Sequence, residues 1–155
     1  MKTILCLLLV IIAFQLNGQS NHPDEKQILQ KVNQFFEALE KQDTVLLKSI
    51  VVLNGQTTSI RTQNDTLQIR TALFKDRMKS FVNPQTVIYE KMLSAEVKIY
   101  GRIAMAWVPY TLSINENFNH CGIDVFTFFK TQEGWKIVSL DYSVEPSVCS
   151  EENKN

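Results

Sequence analysis

The residues best suited to acid–base chemistry lie in the last third of the chain, on two consecutive segments with strand-like alternation. They are one histidine and two aspartates, His120, Asp124 and Asp141. A histidine titrates near neutral pH and can act as a general acid or base, and an aspartate beside it can orient the ring. On one strand, however, His120 and Asp124 are about 13 Å apart, too far for a direct hydrogen bond. Such a pair therefore needs a partner from the neighbouring strand.

The register of the last hairpin decides which side chains share a face with these candidates. If Gln132 pairs with Trp135 across a tight turn, Phe126 lies opposite Asp141 and Asp124 opposite Ser143. Strand alternation then predicts a mixed face of aromatic and ionisable residues: His120, Asp124, Phe126, Phe128, Ile137, Ser139 and Asp141. The opposite face is predicted to be almost purely apolar: Cys121, Ile123, Val125, Phe129, Val138, Leu140 and Tyr142.

Four aromatic side chains are the predicted ligand contacts. Phe126 and Phe128 belong to the mixed face, and Trp107 and Tyr110 lie on the preceding strand. Together with polar groups they would form the half-polar pocket that a small molecule needs. The alternative is that Trp107 and Tyr110 are core or interface residues, while His120 ends a strand in solvent and the acids face water.

The N-terminal segment predicts export to the periplasm or the outside of the cell. Lys2 precedes eleven apolar residues at positions 4–14, which is the length of a signal-peptide core and too short to span a bilayer. Cleavage is expected after Gly18 or Ser20. The alternative is a buried strand or an uncleaved anchor. The predicted organisation is a signal peptide (1–20), one domain (21–147) and a polar tail (148–155).

Signal removal would leave two cysteines, Cys121 and Cys149, and an even count in an exported chain favours a disulfide. The predicted hairpin register places Cys121 opposite Pro146, so the tail can return within the Cα separation of about 5.5 Å that a disulfide needs. Such a bridge would hold the C-terminal end of the chain in place. No C-x-x-C pair occurs, so neither a redox motif nor a zinc site is indicated.

Charge and motif content exclude several function classes. Lys plus Arg and Asp plus Glu each number 16, so no net charge attracts nucleic acid or an anionic membrane. Phosphate-binding and dinucleotide-binding glycine loops, metalloprotease and serine-hydrolase motifs and calcium loops are all missing from the sequence. We therefore predict no cofactor, no metal site and no nucleic-acid partner.

The periodicities predict helices first and strands afterwards, which is an α+β arrangement. Helices are expected near residues 24–41, 44–52 and 73–81, with two short strands at 57–61 and 67–70 between the second and third. Longer strands follow at 87–99, 102–114, 119–131 and 135–144 and would form an antiparallel meander. The first long strand is expected to break near Ser94, and Pro109 to mark an edge or a bulge.

Nearly the whole chain after the predicted signal peptide resembles the nuclear transport factor two-like superfamily, which includes SnoaL-like polyketide cyclases, ketosteroid isomerases and exported bacterial proteins without assigned roles. The resemblance rests on residues 101–110, the run His120-Cys121-Gly122-x-Asp124-x-Phe126, and Gly134-Trp135-Lys136-Ile137. It implies a cystatin-like cone, in which a strongly curved antiparallel sheet wraps the N-terminal helices around a pocket. It also implies a homodimer that forms through the outer sheet face, as in many members of the superfamily.

Three functional hypotheses follow, and fold alone does not choose among them. The first is an exported, non-catalytic pocket domain that binds a small hydrophobic molecule. The second is an isomerase, dehydratase or cyclase that uses acid–base residues in the pocket. The third is a dimeric interaction module whose apolar sheet face carries the function.

Overall fold

The computed structural model describes residues 22–78 and 82–145. Their secondary structure consists of three helices and seven strands, and the elements are α1 (Glu25–Lys41), α2 (Thr44–Ile50), β1 (Val51–Gln63), β2 (Thr66–Leu73), α3 (Phe74–Arg77), β3 (Ile88–Met92), β4 (Glu96–Tyr100), β5 (Ile103–Ile114), β6 (Asn117–Thr131) and β7 (Gly134–Val144). The predicted signal peptide and polar tail lie outside the described residues.

The helices begin and end where local chemistry dictates. In α1 the apolar residues recur at helical spacing and make one buried face: Ile28, Val32, Phe35, Phe36 and Ala38. The helix ends at Gln42, whose left-handed backbone (φ 53°) stops the α-helical hydrogen-bond pattern. Asp43 then starts α2, because its Oδ1 accepts the N–H groups of Val45 and Leu46, both at 2.9 Å.

The strands form one curved, unclosed sheet in the order β2-β1-β7-β6-β5-β3, with β4 also paired to β5. The α+β prediction is confirmed, but the sheet is mixed and not purely antiparallel, because β1 runs parallel to β7. The C-terminal meander leaves β7 as its free edge, and the β1–β2 hairpin joins there. That pairing connects residues some eighty positions apart, as in Thr57 opposite Leu140, so neighbouring segments of the sequence do not predict it.

The edge strand is interrupted where the sequence predicted it. The segment splits into β3 and β4, which pair with opposite ends of β5. Between them the N–H of Leu93 donates to the carbonyl of Pro109 at 2.9 Å. A proline has no N–H to donate in return, so regular pairing stops at this point.

The predicted register of the β6–β7 hairpin is wrong, and the correction moves Asp141. The turn closes at Thr131 opposite Gly134, and a bulge follows that leaves Val138 without a partner. Phe126 therefore lies opposite Leu140, and Asp141 opposite Val125. A shift by two residues preserves the faces of a strand, but the single extra residue of a bulge reverses them.

The sealed core lies between α1 and the concave face of β5, β6 and β7. Phe126 is 0% exposed and meets Phe35 edge to face, with ring centroids 5.3 Å apart. Phe128 stacks on Phe126 from the same strand at 6.1 Å. In the part of the chain that the structure describes, no helix is long and apolar enough to cross a membrane.

Candidate ligand pocket

A cavity of about 350 Å³ opens beyond the sealed core, between the helices and the concave face of the sheet. Its walls are mainly apolar, with a small number of polar groups, as in known small-molecule sites. The helices contribute Phe35 and Leu39 from α1, Leu47 from α2, and Phe74 and Arg77 from α3. The sheet contributes Thr57, Arg61, Ile88, Glu90, Tyr110, Leu112, Asn119, His120, Asp124, Leu140, Tyr142 and Val144.

Two carboxyl groups, Glu90 of β3 and Asp124 of β6, form a hydrogen-bonded carboxyl pair on the cavity wall. Asp124 is only 2% exposed, and its Oδ2 has no N–H or hydroxyl partner among the described residues. An ionised carboxylate has no proton to donate, so the hydrogen bond within the pair requires that one member be protonated.

The electrostatics indicate which member holds that proton. Burial raises the pKa of Glu90 to about 7, and the hydrogen bond from Asp124 partly opposes this rise. Burial raises the pKa of Asp124 well above its usual range, and the negative charge of Glu90 raises it further. Asp124 therefore holds the proton and donates a hydrogen bond to Glu90. Glu90 is the member of the pair whose charge changes near neutral pH.

Next to this pair, Tyr110 and His120 form a second polar group. The Tyr110 hydroxyl donates to the backbone carbonyl of Ser143 at 2.8 Å and lies 3.1 Å from His120 Nε2. His120 Nδ1 also lies 2.7 Å from Asn119 Oδ1, so the tautomer of the ring decides which of its two contacts the histidine donates. Burial, and secondarily the charge of Arg61, lower the pKa of His120. The ring is therefore neutral at neutral pH.

Gly122 makes room for the Tyr110 side chain. The two residues face each other in the β5–β6 ladder. A Cβ at position 122 would lie 2.1 Å from the Ser143 carbonyl oxygen and 3.0 Å from the Tyr110 ring. A larger residue there would collide with the backbone and displace the hydroxyl that holds His120. Glycine is required here for close approach.

The cavity wall also carries two cations, Arg61 of β1 and Arg77 of α3. Arg77 Nε donates to Thr57 Oγ1 at 3.1 Å. Arg61 Nε is buried and has no hydrogen-bond partner among the residues described. A guanidinium is charged at neutral pH, so both polar ends of these side chains are donors only.

The structure brings together only some of the predicted site residues. His120, Asp124 and Tyr110 all line the cavity. Asp141 does not, because the bulge turns it to the exposed outer face. Trp107, opposite Val125 on the same outer face, is 43% exposed and is not a cavity residue.

Phe126 and Phe128 also differ from their predicted role as ligand contacts. Both are 0% exposed and belong to the sealed core under α1 instead of the cavity wall. They face the predicted side of the sheet, but α1 covers them completely.

Sequence reasoning missed Glu90, Arg61 and Arg77. A signal for Glu90 exists, because it lies between Ile88 and Met92 at strand spacing, which places an acid among apolar inward-facing residues. Arg61 lies at the end of β1 opposite Val144, through the long-range parallel pairing. No local pattern marks it.

Cys121, the first cysteine of the predicted disulfide, lies close to its expected position. Cys121 is 7% exposed and forms an isolated antiparallel bridge with Glu145, one residue before the predicted partner. Cys149 lies outside the described residues, so the bridge stays a prediction. Within residues 22–78 and 82–145, no group of three or more His, Cys, Asp or Glu could hold a metal ion.

Solved structures share this architecture at low sequence identity. An NTF2-like protein of unknown function from Shewanella baltica is 17% identical, with a TM-score of 0.61 over 81% of this chain and 96% of its own. A protein with a cystatin-like fold from Nostoc punctiforme is 14% identical, with a TM-score of 0.63 over 81% and 93%. A protein provisionally described as an NTF2-like dehydratase from Streptomyces avermitilis is 17% identical, with a TM-score of 0.63 over 82% and 98%.

No family model and no curated protein sequence matches this chain. Structural likeness at these identities carries the fold and not the activity. The curved sheet, the helices on its concave side and these neighbours agree: the chain has the nuclear transport factor 2-like, cystatin-like fold.

Proposed function

We propose that this protein binds a small, largely apolar molecule in the cavity between the helices and the concave sheet face. The observation that carries the proposal is a cavity of about 350 Å³ whose mainly apolar walls include a buried, hydrogen-bonded carboxyl pair and an arginine. This size lies at the lower end of the range of roughly 300–1,000 Å³ for small-molecule sites. A small ligand is therefore expected.

These buried polar groups support a binding role over a purely structural one. A buried polar atom without a hydrogen bond costs about 1–3 kcal/mol. Arg61 Nε has no hydrogen-bond partner among the described residues, and the Glu90–Asp124 pair keeps two carboxyl groups out of water. Apolar residues at these positions would avoid both costs.

The test is a screen of small apolar compounds by thermal shift and native mass spectrometry, with a variant that fills the cavity. Leu112 lines the cavity and is only partly buried, so Leu112→Trp should abolish binding without opening the core. Leu67→Trp is the matched control, because Leu67 is 63% exposed on β2. Failure of every compound to bind the unmodified protein, or equal binding by Leu112→Trp, would contradict the proposal.

Export remains part of the proposal, since it rests on residues 1–20 alone. The mature protein is then expected outside the cytoplasm, with an intact mass that corresponds to cleavage after residue 18 or 20. An intact, uncleaved N-terminus in the protein isolated from its native cell would contradict it.

An acid–base enzyme of the isomerase, dehydratase or cyclase kind is the alternative, and the carboxyl pair favours it. A group with a pKa near 7, such as Glu90, can take a proton from carbon at neutral pH. Protonated Asp124 donates to Glu90 and holds that base in place, and His120 is a neutral group on the same wall. The dehydratase description of the Streptomyces avermitilis protein is consistent with this chemistry.

A single substitution, Glu90→Gln, distinguishes the binding protein from the enzyme. Glu90→Gln keeps the shape of the wall and removes the base. An enzyme would lose turnover and still bind its substrate, whereas a binding protein would show no turnover before or after the change. Isotope exchange of ligand C–H protons with deuterated water, followed by NMR, measures this directly.

A further inference from the structure

Glu90 presents a hydrogen-bond acceptor to the cavity. On β3 it alternates inward together with Ile88, whereas Tyr89 and Lys91 are exposed on the other face. Its partner in the β3–β5 ladder is Leu112, which also lines the cavity. Strand pairing therefore fixes the Glu90 side chain on the cavity wall.

The hydrogen bond within the carboxyl pair uses only part of the acceptor capacity of Glu90. An ionised carboxylate has two oxygens with about four lone-pair sites. Asp124 supplies one proton, and no other donor among the described residues acts on the Glu90 carboxyl. Neither Glu90 oxygen is among the fully buried polar atoms without a partner, and the residue is only partly buried. The spare acceptor sites are therefore open to the cavity.

The carboxyl pair has no counter-ion in the described parts of the chain. No ion pair there includes Glu90 or Asp124. No positive side chain influences the pKa of either acid, and burial raises the pKa of both. A carboxylate that is partly removed from water without a cation is destabilising unless hydrogen-bond donors reach it.

The polar groups beside the pair direct their hydrogens elsewhere. The Tyr110 hydroxyl donates to the Ser143 carbonyl at 2.8 Å. The two ring nitrogens of His120 contact Asn119 Oδ1 at 2.7 Å and the Tyr110 hydroxyl at 3.1 Å. A donor for the spare acceptor sites of Glu90 is therefore expected from a molecule in the cavity.

The rest of the wall indicates the body that carries this donor. Aromatic rings of Phe35, Phe74, Tyr110 and Tyr142 line the space and favour a flat, apolar ring. At about 30 Å³ for each water-sized unit, a volume of about 350 Å³ holds on the order of a dozen non-hydrogen atoms. A single aromatic ring with a short polar substituent fits that size.

We infer that the cavity binds a small aromatic molecule that donates a hydrogen bond, from a hydroxyl or an amine, to the carboxylate of Glu90. The ring lies among the aromatic side chains of the helices and the sheet, and its polar substituent points to β3. Asp124, which donates from the opposite side, holds the carboxylate in place for this contact. This inference rests on the proposed binding function and specifies the polar group of the ligand.

The experiment compares three probes with one aromatic ring and the same number of non-hydrogen atoms. Benzyl alcohol and benzylamine are donors, whereas methoxybenzene, an isomer of the alcohol, can only accept. Isothermal titration at pH 8, where Glu90 is ionised, should show at least one donor binding at least about tenfold more tightly than methoxybenzene, since hydrogen bonds to a charged group are the stronger kind. The tighter of the two donors identifies a hydroxyl or an ammonium as the natural group. Equal affinities for all three probes would overturn the inference.

Two variants of Glu90 locate the contact. Glu90→Met removes the acceptor at similar volume, so it should lower the affinity for the donors to that for methoxybenzene and leave methoxybenzene unchanged. Glu90→Gln keeps an amide oxygen without the charge and should lose part of the preference. Glu96→Gln is the matched control, because Glu96 is exposed on β4. A preference for donors that is unchanged in Glu90→Gln, or that persists in folded Glu90→Met, would contradict the contact.

The outcomes separate this inference from the proposed function. If methoxybenzene binds the unmodified protein and Leu112→Trp abolishes that binding, the pocket function stands, and a missing preference for donors overturns only the inference about Glu90. If none of the probes and no compound of the screen binds, the proposed function itself fails.

Discussion

The inward-facing side chains of β6 have different surroundings in the two halves of the strand. Phe126 and Phe128 lie in a dry core sealed by α1, whereas Asp124 and His120, further from the hairpin turn, face an open cavity. The change takes place within one step of strand alternation, from Phe126 to Asp124. The sealed core and the proposed binding cavity thus use adjacent stretches of one strand, and substitutions in the two halves should have different consequences.

The largest expected effect is in the sealed half. Phe126→Ala removes a fully buried ring that packs against Phe35 and Phe36, so it should lower the free energy of unfolding by about 3–5 kcal/mol. Leu112→Ala, on the cavity wall, should lower it by far less because its surroundings are already open. Urea unfolding of both variants measures the difference. Equal losses would show that the two halves are packed alike.

The cavity-facing half of β6, with its carboxyl pair, should instead make the free energy of unfolding depend on pH. The pKa of Glu90 is raised from 4.5 to about 7 on folding, so between these values the folded state binds more protons than the unfolded chain. The contribution of Glu90 to the free energy of unfolding is then fully present below pH 4.5 and is lost as the pH rises to about 7, by about 3 kcal/mol. Asp124 contributes in the same direction.

Urea unfolding across that pH range tests this, with Glu90→Gln as the reference. The variant carries no titrating group at position 90, so its decrease should be smaller. A free energy of unfolding that rises from pH 4.5 to pH 7 in the unmodified protein would mean that both acids are ionised and separately paired.

A smaller effect is expected at Tyr110, where the open half meets the backbone of β7. Tyr110→Phe removes the hydroxyl that donates to the Ser143 carbonyl and holds His120 Nε2. The free energy of unfolding should decrease by about 1 kcal/mol. The His120 ring resonances should also shift in NMR spectra, since the ring loses its hydrogen-bond partner at Nε2. Unchanged His120 resonances would contradict the contact.

The smallest effect on stability is expected on the outer face, which serves as a control for both halves. Trp107 is 43% exposed there, on the same strand as exposed Ile103, which lies opposite Phe129. Trp107→Glu should change the free energy of unfolding by no more than about 0.5 kcal/mol. If the proposed homodimer forms through this face, sedimentation should show the variant as a monomer at concentrations where the unmodified protein is dimeric.

Local patterns predicted the order and type of the elements and part of the site, but not all of their lengths: β1 covers Val51–Gln63 instead of the predicted 57–61. The buried face of α1, the break between β3 and β4, and the inward direction of Asp124 and His120 all follow from spacing along one segment. These features depend on contacts within a few residues, where helical and strand periodicities apply directly. Tyr110 was predicted as a ligand contact, and it does line the cavity.

Long-range geometry accounts for what the patterns missed. A bulge at Val138 reverses the faces of β7, so Asp141 points outward and Tyr142 enters the cavity. Nothing in the alternation of β7 marks that bulge, and it lies where the long-range pairing with β1 is also irregular, between Val51 and Gln56. The parallel pairing of β1 with β7 likewise brings Arg61 to the wall.

The sequence by itself determined that this is an α+β chain with a polar, histidine- and aspartate-bearing stretch on an otherwise apolar strand face. Only the tertiary structure decided that the acid hydrogen-bonded to Asp124 is Glu90 and not Asp141, and that a cation lines the same cavity. The physical reason is that periodicity assigns a side chain to a face, whereas register and sheet curvature decide which faces meet. The carboxyl pair and its shared proton exist only where β3 and β6 converge over the cavity.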